Sequence, residues 1–174
     1  MIFKVQSVYR FLILYLACME PIKLPRMGDA EIGELVKEQS VCRIAINGEE
    51  YPYLAPFRYI VIGNTLYFHF TDYGKKVKLL EKNRKVCVQI ERYLPDLSNY
   101  RFVSLRGELE KVDDPNEYKE AVLMFSETGK KLSTKFLAAH GLDPSEGWES
   151  FSPCKQFIIM RLEKISEKIG LKSP

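Results

Sequence analysis

The sequence predicts a mainly β fold in which six antiparallel strands close into a barrel flanked by short helices. Six runs rich in β-branched and aromatic residues are separated by turn signals. Most of the connections between these runs are short enough to be hairpins, which makes neighbouring strands antiparallel. Closure into a barrel is then the best way for six such strands to hide their edges.

Each strand is predicted from its own segment of the chain. The expected strands are Val41–Ile46, Tyr51–Ile62, Thr65–Phe70, Val86–Ile90, Tyr100–Val112 and Gln156–Leu162. Asn47-Gly48 is the strongest two-residue hairpin signal in the sequence, and Gly63-Asn64 predicts a second tight turn. Gly107, inside the fifth strand, indicates a bulge or a close backbone approach.

The segments between the strands carry helical periodicity or helix-start signals. The expected helices are Asp29–Gln39, Lys75–Asn83, Asp113–Phe125 and Lys131–Ala139. Asp29 is the expected N-cap of the first helix, and Pro115 near the first turn marks the start of the third. Residues 142–154 contain several glycine, proline and serine residues and are expected to form a loop.

Length and composition indicate one ordinary globular domain. The chain has 174 residues, of which 46% are hydrophobic and 28% charged, as in soluble proteins. The net charge is only +3 (26 basic against 23 acidic residues), too small for a protein that coats phosphate backbones. We therefore expect no nucleic-acid partner.

Cysteine and histidine usage argues against disulfides and metals. The four cysteines are scattered and form no C-x-x-C pair, so we expect free thiols and a cytoplasmic location. Two histidines, His69 and His140, cannot build a histidine-rich metal site. No nucleotide-binding glycine motif, P-loop, zinc-protease or nucleophile-elbow motif occurs. The catalytic residues, if any, are therefore unknown.

Residues 1–18 have a separate character. The apolar stretch Phe11–Cys18 is too short to span a bilayer, and Lys4 and Arg10 before it give only a faint signal-peptide pattern. We expect Met19 to be the natural start, with residues 1–18 an upstream extension or a simple docking strand or helix. The folded domain is then residues 19–174, with no membrane association.

The most informative segment for function is His69–Lys76, which runs from the end of a strand into the start of a helix. Free N–H groups at a helix start favour an anion. Gly74 permits close approach, Thr71 offers a hydroxyl group, and Lys75 and Lys76 add two positive charges. The spacing suits a phosphate monoester, and the alternative is a solvated lysine face on a surface helix.

His69 lies in an aromatic strand and has two interpretations. A histidine in such a strand is often a buried core or interface residue. Its neighbours at two-residue spacing, Tyr67 and Thr71, share its face and make that face partly polar, which favours a pocket.

Three blocks of sequence resemble the FMN-binding split-barrel superfamily, in particular pyridoxamine 5'-phosphate oxidase-like proteins and most closely the nitroimidazole-resistance (Nim-type) branch. These blocks are Tyr51–Tyr59, Leu66–His69 followed by Gly74-Lys75-Lys76, and Asn83–Val88. The resemblance covers roughly Met19 to Lys168 and implies a six-stranded antiparallel split β-barrel.

The resemblance also implies a homodimer with FMN at the subunit interface. Lys75 and Lys76, after Gly74, match the basic pair that holds the flavin phosphate. The strand beside the isoalloxazine ring corresponds to Ala55, Pro56 and Phe57. Positions lining the pocket near the cofactor correspond to His69 and Thr71.

Two residues depart from the family pattern. Phe102 stands where a polar residue is common, and Lys75 replaces an arginine, which would offer a bidentate fork for phosphate. The C-terminal tryptophan- and arginine-bearing motif of the true oxidases is missing, which disfavours vitamin B6 oxidation.

The function that the resemblance implies is an FMN-dependent oxidoreductase that passes electrons from a reduced nicotinamide or another donor to a small organic acceptor. The alternatives are a non-catalytic flavin- or haem-binding module, with His69 as the haem ligand, and a plain structural barrel.

Overall fold

The computed structural model describes residues 23–132, 137, 138, 143, 145, 147 and 158–174. The expectations for residues 1–18 lie outside this range, as do most of those for the fourth helix and for the loop 142–154. Lys131 and Leu132, the first residues of that expected helix, form a turn and a bend instead.

The described residues form three helices and six long strands. The helices are α1 (Asp29–Glu38), α2 (Lys75–Lys82) and α3 (Pro115–Gly129). The strands are β1 (Val41–Ile46), β2 (Tyr53–Ile62), β3 (Thr65–Phe70), β4 (Lys85–Tyr93), β5 (Tyr100–Lys111) and β6 (Ile158–Lys172). In this part of the chain, no helix has the length and apolar character needed to cross a bilayer.

The six strands form a closed barrel in the order β1-β2-β3-β6-β5-β4, and every neighbouring pair is antiparallel. This confirms the predicted fold class. Every second side chain of a strand faces the interior of the barrel. In β1, Cys42, Ile44 and Ile46 are buried, while the residues between them are more exposed. Burying each such side chain contributes about 1.5–3 kcal/mol.

Two helices cover different parts of the barrel. In α1, Leu35 is fully buried in the same cluster as the barrel interior. In contrast, α3 packs on the outside of the barrel, where Val122 and Phe125 join Ile60 of β2 and Ile159 of β6 in a second apolar cluster. The outer faces of β2, β3 and β6 are therefore covered where α3 lies on them.

The connection between β1 and β2 is longer than predicted. It spans residues 47–52, and Ile46 is paired with Tyr53, so Asn47-Gly48 is not a two-residue hairpin. The Asn47 side chain instead donates a hydrogen bond to the Lys85 carbonyl oxygen at 3.2 Å, and Pro52 has no N–H for the ladder. The second predicted turn is confirmed, because Ile62 pairs with Thr65 and the intervening Gly63 has φ +61°.

The last strand is also longer than predicted: it continues to Lys172 instead of ending at Leu162. The added residues include Glu163, Lys164, Glu167 and Lys168, so the segment lacks the apolar run that marks a strand. It forms because β5 provides partners for Glu163 and for residues 167–172. The predicted bulge at Gly107 is confirmed by a register shift between Arg106 and Glu108.

The N-cap of helix α1 lies one residue earlier than predicted. Gly28, not Asp29, is the N-cap, and its N–H donates a hydrogen bond to the Glu31 carboxylate at 3.0 Å. The carboxylate of Glu31 can serve this role because it sits three residues into the helix, the position used in a capping box.

Candidate functional site

The candidate site begins at the end of β2 that carries Ala55, Pro56 and Phe57. The β2–β3 ladder covers only residues 59–62 of β2, whereas residues 53–58 pair with β1. Within the described part of the chain, no strand pairs with the other edge of residues 53–58. The backbone N–H and C=O groups on that edge are therefore available to a ligand. A ligand that covers the edge would form hydrogen bonds with them, because backbone polar groups require partners when they are buried.

Side chains of β2 alternate between the interior and the outside. Phe57 faces inward, with its ring centroid 4.7 Å from that of Phe70 and 6.5 Å from that of Phe68. Ala55 is half-buried against the same core, whereas Pro56 is exposed on the outside. The end of the strand thus has an apolar aromatic wall on one side and a free backbone edge.

The start of α2 lies close to this strand. Gly74 is the N-cap with φ +100°, a conformation that a residue with a side chain rarely adopts. The Thr71 hydroxyl donates to the Tyr73 carbonyl oxygen at 3.1 Å and shapes the turn before the helix. No side chain caps the helix and its first turn contains no acid, so its N–H groups are open to an anion.

The two lysines of the basic pair point to different neighbours. The ammonium group of Lys76 lies 5.2 Å from the Phe57 ring centroid, within cation–π distance, and the residue is half-buried. Lys75 is exposed on another side of α2, because consecutive helical residues are separated by about 100°. The Lys76–Phe57 contact joins the two predicted halves of the site, which lie far apart in sequence.

A groove of about 350 Å³ adjoins Lys75, and we call it the lysine groove. Lys75, Lys78 and Lys82 of α2 line one side, and Glu49, Glu50 and Tyr51 of the β1–β2 connection line the other. Of these three lysines, the sequence pattern placed only Lys75 in the predicted phosphate site. Their spacing of three and four residues could have indicated a common face, but not what lies opposite it.

His69 lies apart from the lysine pair. Phe68 and Phe70 face the interior, so His69 faces outward, where its ring centroid is 6.5 Å from that of Phe125 in α3. The residue is only 9% exposed. This burial fits a histidine packed beneath a helix. Of His69 and Thr71, which were both predicted to line the pocket, only Thr71 remains partly accessible, next to the start of α2.

Arg58 is a buried residue that the sequence analysis missed. It donates a hydrogen bond to the Phe125 carbonyl oxygen at 3.1 Å and another to the Thr128 hydroxyl. Burial lowers the pKa of its guanidinium group to about 10. Because it binds the last turn of α3, Arg58 anchors that helix to β2, a structural role that no local sequence pattern indicates.

A cavity of about 570 Å³ lies elsewhere, between β1, β4, β5 and the bulged part of β6. Two of its three lining cations are already paired: Arg106 with Glu167 at 2.8 Å, and Lys164 with Glu108 at 2.8 Å. It therefore has less free positive charge than the start of α2, and we do not assign the site to it.

Neither described cysteine is placed as a nucleophile for this site. Cys42 is buried inside the barrel, and burial raises the pKa of its thiol to about 12. Cys87 is half-buried on β4, with its sulfur 3.0 Å from the Ser104 hydroxyl oxygen.

Solved structures with the same fold extend over most of this chain. An FAD-binding protein from Mesorhizobium loti is 18% identical, with a TM-score of 0.63, over 88% of this chain and 100% of that chain. A candidate 5-nitroimidazole antibiotic resistance protein from Bacteroides thetaiotaomicron is 16% identical, with a TM-score of 0.58, over 88% and 94% of the two chains. The heme storage protein HutZ from Vibrio cholerae is 12% identical, with a TM-score of 0.57, over 83% and 94%.

These similarities establish a shared fold. No curated protein matches the sequence significantly. The sequence profile of the pyridoxamine 5'-phosphate oxidase family, however, matches residues 28–142, about two thirds of the chain. The match includes β1 to β5 and all three helices, and therefore every residue of the candidate site. The chain belongs to the pyridoxamine 5'-phosphate oxidase family.

Proposed function

We propose that the protein binds a flavin through its 5'-phosphate, as in FMN, and acts as an oxidoreductase. The observation that carries this proposal is the contact between Lys76 and Phe57, because it joins an anion-binding helix start to a strand with a free backbone edge. A flavin needs both a cationic site for phosphate and an apolar slot with hydrogen-bonding groups for its ring. The family match and the FAD-binding relative support a flavin.

Each predicted residue except His69 has a role in this proposal. Lys75, Lys76 and the amides at the start of α2 hold the phosphate, and Gly74 leaves room for its close approach. Thr71 keeps the turn in shape through its bond to Tyr73. The flavin ring lies along Ala55, Pro56 and Phe57, where the β2 edge supplies hydrogen-bonding groups.

The bound flavin would supply the redox chemistry, with a hydride entering from a reduced nicotinamide or another donor and two electrons leaving to a small organic acceptor. The chain's own residues bind and orient the cofactor and exclude water from its inner face. No side chain of the described site is assigned as an acid or base.

The haem-binding alternative receives less support from the site. HutZ shares the fold, but an axial ligand must reach the haem iron. His69 lies beneath α3 against Phe125 and would reach an iron only if that helix moved. A flavin carrier without turnover would use the same site as the proposed enzyme, and reduction by a nicotinamide distinguishes the two.

We also propose that the protein is a homodimer with the flavin at the interface. Leu54, next to the proposed ring-binding residues, points outward and is 62% exposed, and Val41 on the neighbouring strand is 50% exposed. A second copy would bury this apolar surface and close the outer side of the flavin site.

Replacement of both Lys75 and Lys76 by alanine tests the phosphate site. Each lost charge-assisted hydrogen bond is worth about 1.5–3 kcal/mol, so FMN affinity should fall about a hundredfold or more. Riboflavin has no phosphate, and its affinity should change far less. The Lys82→Ala/Lys85→Ala variant is the matched control and should bind FMN almost normally.

A double variant that copurifies with a full complement of FMN would refute the phosphate assignment and favour a solvated lysine face. Anaerobic addition of NADH or NADPH to the flavin-loaded protein tests turnover. Bleaching of the flavin absorbance supports the oxidoreductase, whereas an unchanged spectrum with both donors supports a carrier or an enzyme with a different donor.

A further inference from the structure

The sixth strand carries a bulge with an exposed isoleucine in its middle. Residues 164–166 of β6 lie opposite Gly107 alone on β5, so β6 accommodates two extra residues here. A strand bends where it takes up extra residues. Ile165, the middle residue of this β6 bulge, is 46% exposed. The barrel therefore has an exposed apolar side chain on an irregular, bent part of a strand.

The β6 bulge is held in a fixed shape. The backbone of Lys164 is left-handed, with φ +48°, and its ammonium group lies 2.8 Å from the Glu108 carboxylate and 3.1 Å from that of Glu110. The Ser166 hydroxyl group donates to the Arg106 carbonyl oxygen at 3.4 Å. A residue with a side chain keeps a left-handed conformation only where the surrounding structure enforces it. A bulge that is already ordered loses little conformational entropy when a partner binds to it.

The cavity of about 570 Å³ lies directly beside the bulge. Lys164 and Ser166, the two neighbours of Ile165, both line it. Much of the remaining wall consists of apolar side chains and one thiol, from Ala45, Ile46, Pro52, Val86 and Cys87. An exposed apolar side chain and a hollow with a largely apolar wall therefore adjoin each other on the barrel.

This surface continues the one that we propose to lie in the dimer interface. Ala45 pairs with Leu54 on β2 and with Cys87 on β4, so the three residues form one row across the sheet. Ala45 and Cys87 also belong to the cavity wall. A second copy that covers Leu54 is therefore well placed to cover the cavity too.

The charges around the bulge and the cavity are complementary. Lys85 lines the cavity and forms no ion pair within the described part of the chain. The bulge is flanked by Glu163 and Glu167, whose side chains are 40% and 41% exposed although each is paired with an arginine. A bulge that enters the cavity of another copy would bring these carboxylates toward an unpaired ammonium group, and such complementarity selects the correct partner.

Two-fold symmetry allows this surface to bind a second copy of itself. In a two-fold dimer, each patch of one protomer contacts its counterpart on the other, and the reverse contact is formed as well. Because the bulge and the cavity adjoin each other, one axis that passes between them seats both bulges at once. A different partner would have to supply both a projecting apolar side chain and a matching hollow.

We propose that Ile165 of each protomer inserts into the 570 Å³ cavity of the other and fixes how the two barrels are arranged. This inference rests on the dimer that forms part of the proposed function, and it adds the contact that determines the geometry of that dimer. It also gives a role to the bulge, which the proposed flavin site does not use.

Cross-linking of the full-length protein tests the proposal. Ile165→Cys should form a disulfide with Cys87 of the partner subunit on mild oxidation, because the two side chains would share one cavity. Most of the variant should then migrate at twice the mass of the chain on a non-reducing gel. In sedimentation, Ile165→Ser should raise the dissociation constant of the dimer at least about tenfold, since each dimer loses two buried apolar side chains.

The cross-link should disappear when Cys87→Ser is added to Ile165→Cys. The matched control is Leu123→Cys, at a 46% exposed position on α3, which should give no cross-link that depends on Cys87. A dimeric wild type whose Ile165→Cys variant forms no Cys87-dependent cross-link would overturn the inserted bulge while leaving the dimer and the flavin site intact. A flavin-loaded wild type that sediments only as a monomer would overturn the proposed dimer as well.

Discussion

At the scale of single residues, Lys76 has the most constrained position in the proposed site. Its ammonium group lies over the Phe57 ring, and that ring is itself held by Phe70 at 4.7 Å. A lysine on a surface helix normally samples many rotamers, which costs free energy when it binds an anion. The ring contact reduces that cost, so Phe57 acts as a positioning residue for Lys76.

Phe57→Leu should weaken FMN binding about two- to fivefold, since a cation–π contact at a partly exposed site is worth about 0.5–1 kcal/mol. Leucine keeps most of the apolar volume, so the barrel should remain folded. The same substitution in a Lys76→Ala background should have a smaller effect on FMN affinity, because only the contact of Phe57 with the flavin ring is then lost. Equal losses in both backgrounds, measured by titration, would show that Phe57 acts independently of Lys76.

Sequence spacing predicted that Lys75 and Lys76 lie at a helix start. It did not predict that their side chains point to different neighbours. The helical period sends adjacent side chains in different directions, and only the fold determines which one meets Phe57. For His69 the alternation of β3 predicted the residues that share its face. It could not predict that α3, about 50 residues later in the chain, would cover that face.

At the scale of elements, Gly170 in β6 determines how closely α1 can approach the barrel. A Cβ atom at this position would lie 2.7 Å from Ile32 Cγ1 and 2.9 Å from Met27 Cβ. The backbone is also fixed here, because the Met27 N–H donates to the Gly170 carbonyl oxygen at 2.9 Å. The predicted sixth strand ends at Leu162, so this contact could not be predicted.

Gly170→Ala should lower the free energy of unfolding by about 1–3 kcal/mol, the usual cost of overpacking a core. Gly33→Ala, within α1, is the matched control, because an added Cβ there meets no atom within 4 Å. It should raise the free energy of unfolding by up to about 1 kcal/mol through helix propensity. Urea unfolding measures both, and a Gly170→Ala protein as stable as the wild type would contradict this account.

At the scale of the whole molecule, the barrel could be predicted because five of its strands carry apolar runs bounded by turn signals. The exception is the second half of β6, which is polar and is defined by its pairing with β5. The free edge of β2 also depends on the whole barrel, since it arises where the β2–β3 ladder stops short of the strand end. Single-strand patterns do not specify such an offset.

The barrel surface is covered unevenly. On one side α3 buries Ile60, Tyr67 and Ile159, whereas the outward row formed by Leu54, Ala45 and Cys87 has no helix over it among the described elements. A contiguous row of apolar side chains beside a proposed cofactor site favours a protein interface over open solvent.

We therefore expect sedimentation to detect a dimer at micromolar concentration, with an interface that buries at least about 1,200 Å² in total. Leu54→Glu should shift the protein to monomer, because it would place two carboxylates against apolar surface at a symmetric interface. Leu123→Glu, at an α3 position that is 46% exposed, is the matched control and should remain dimeric. A flavin-loaded wild type that sediments only as a monomer would contradict both the dimer and the proposed location of the flavin between subunits.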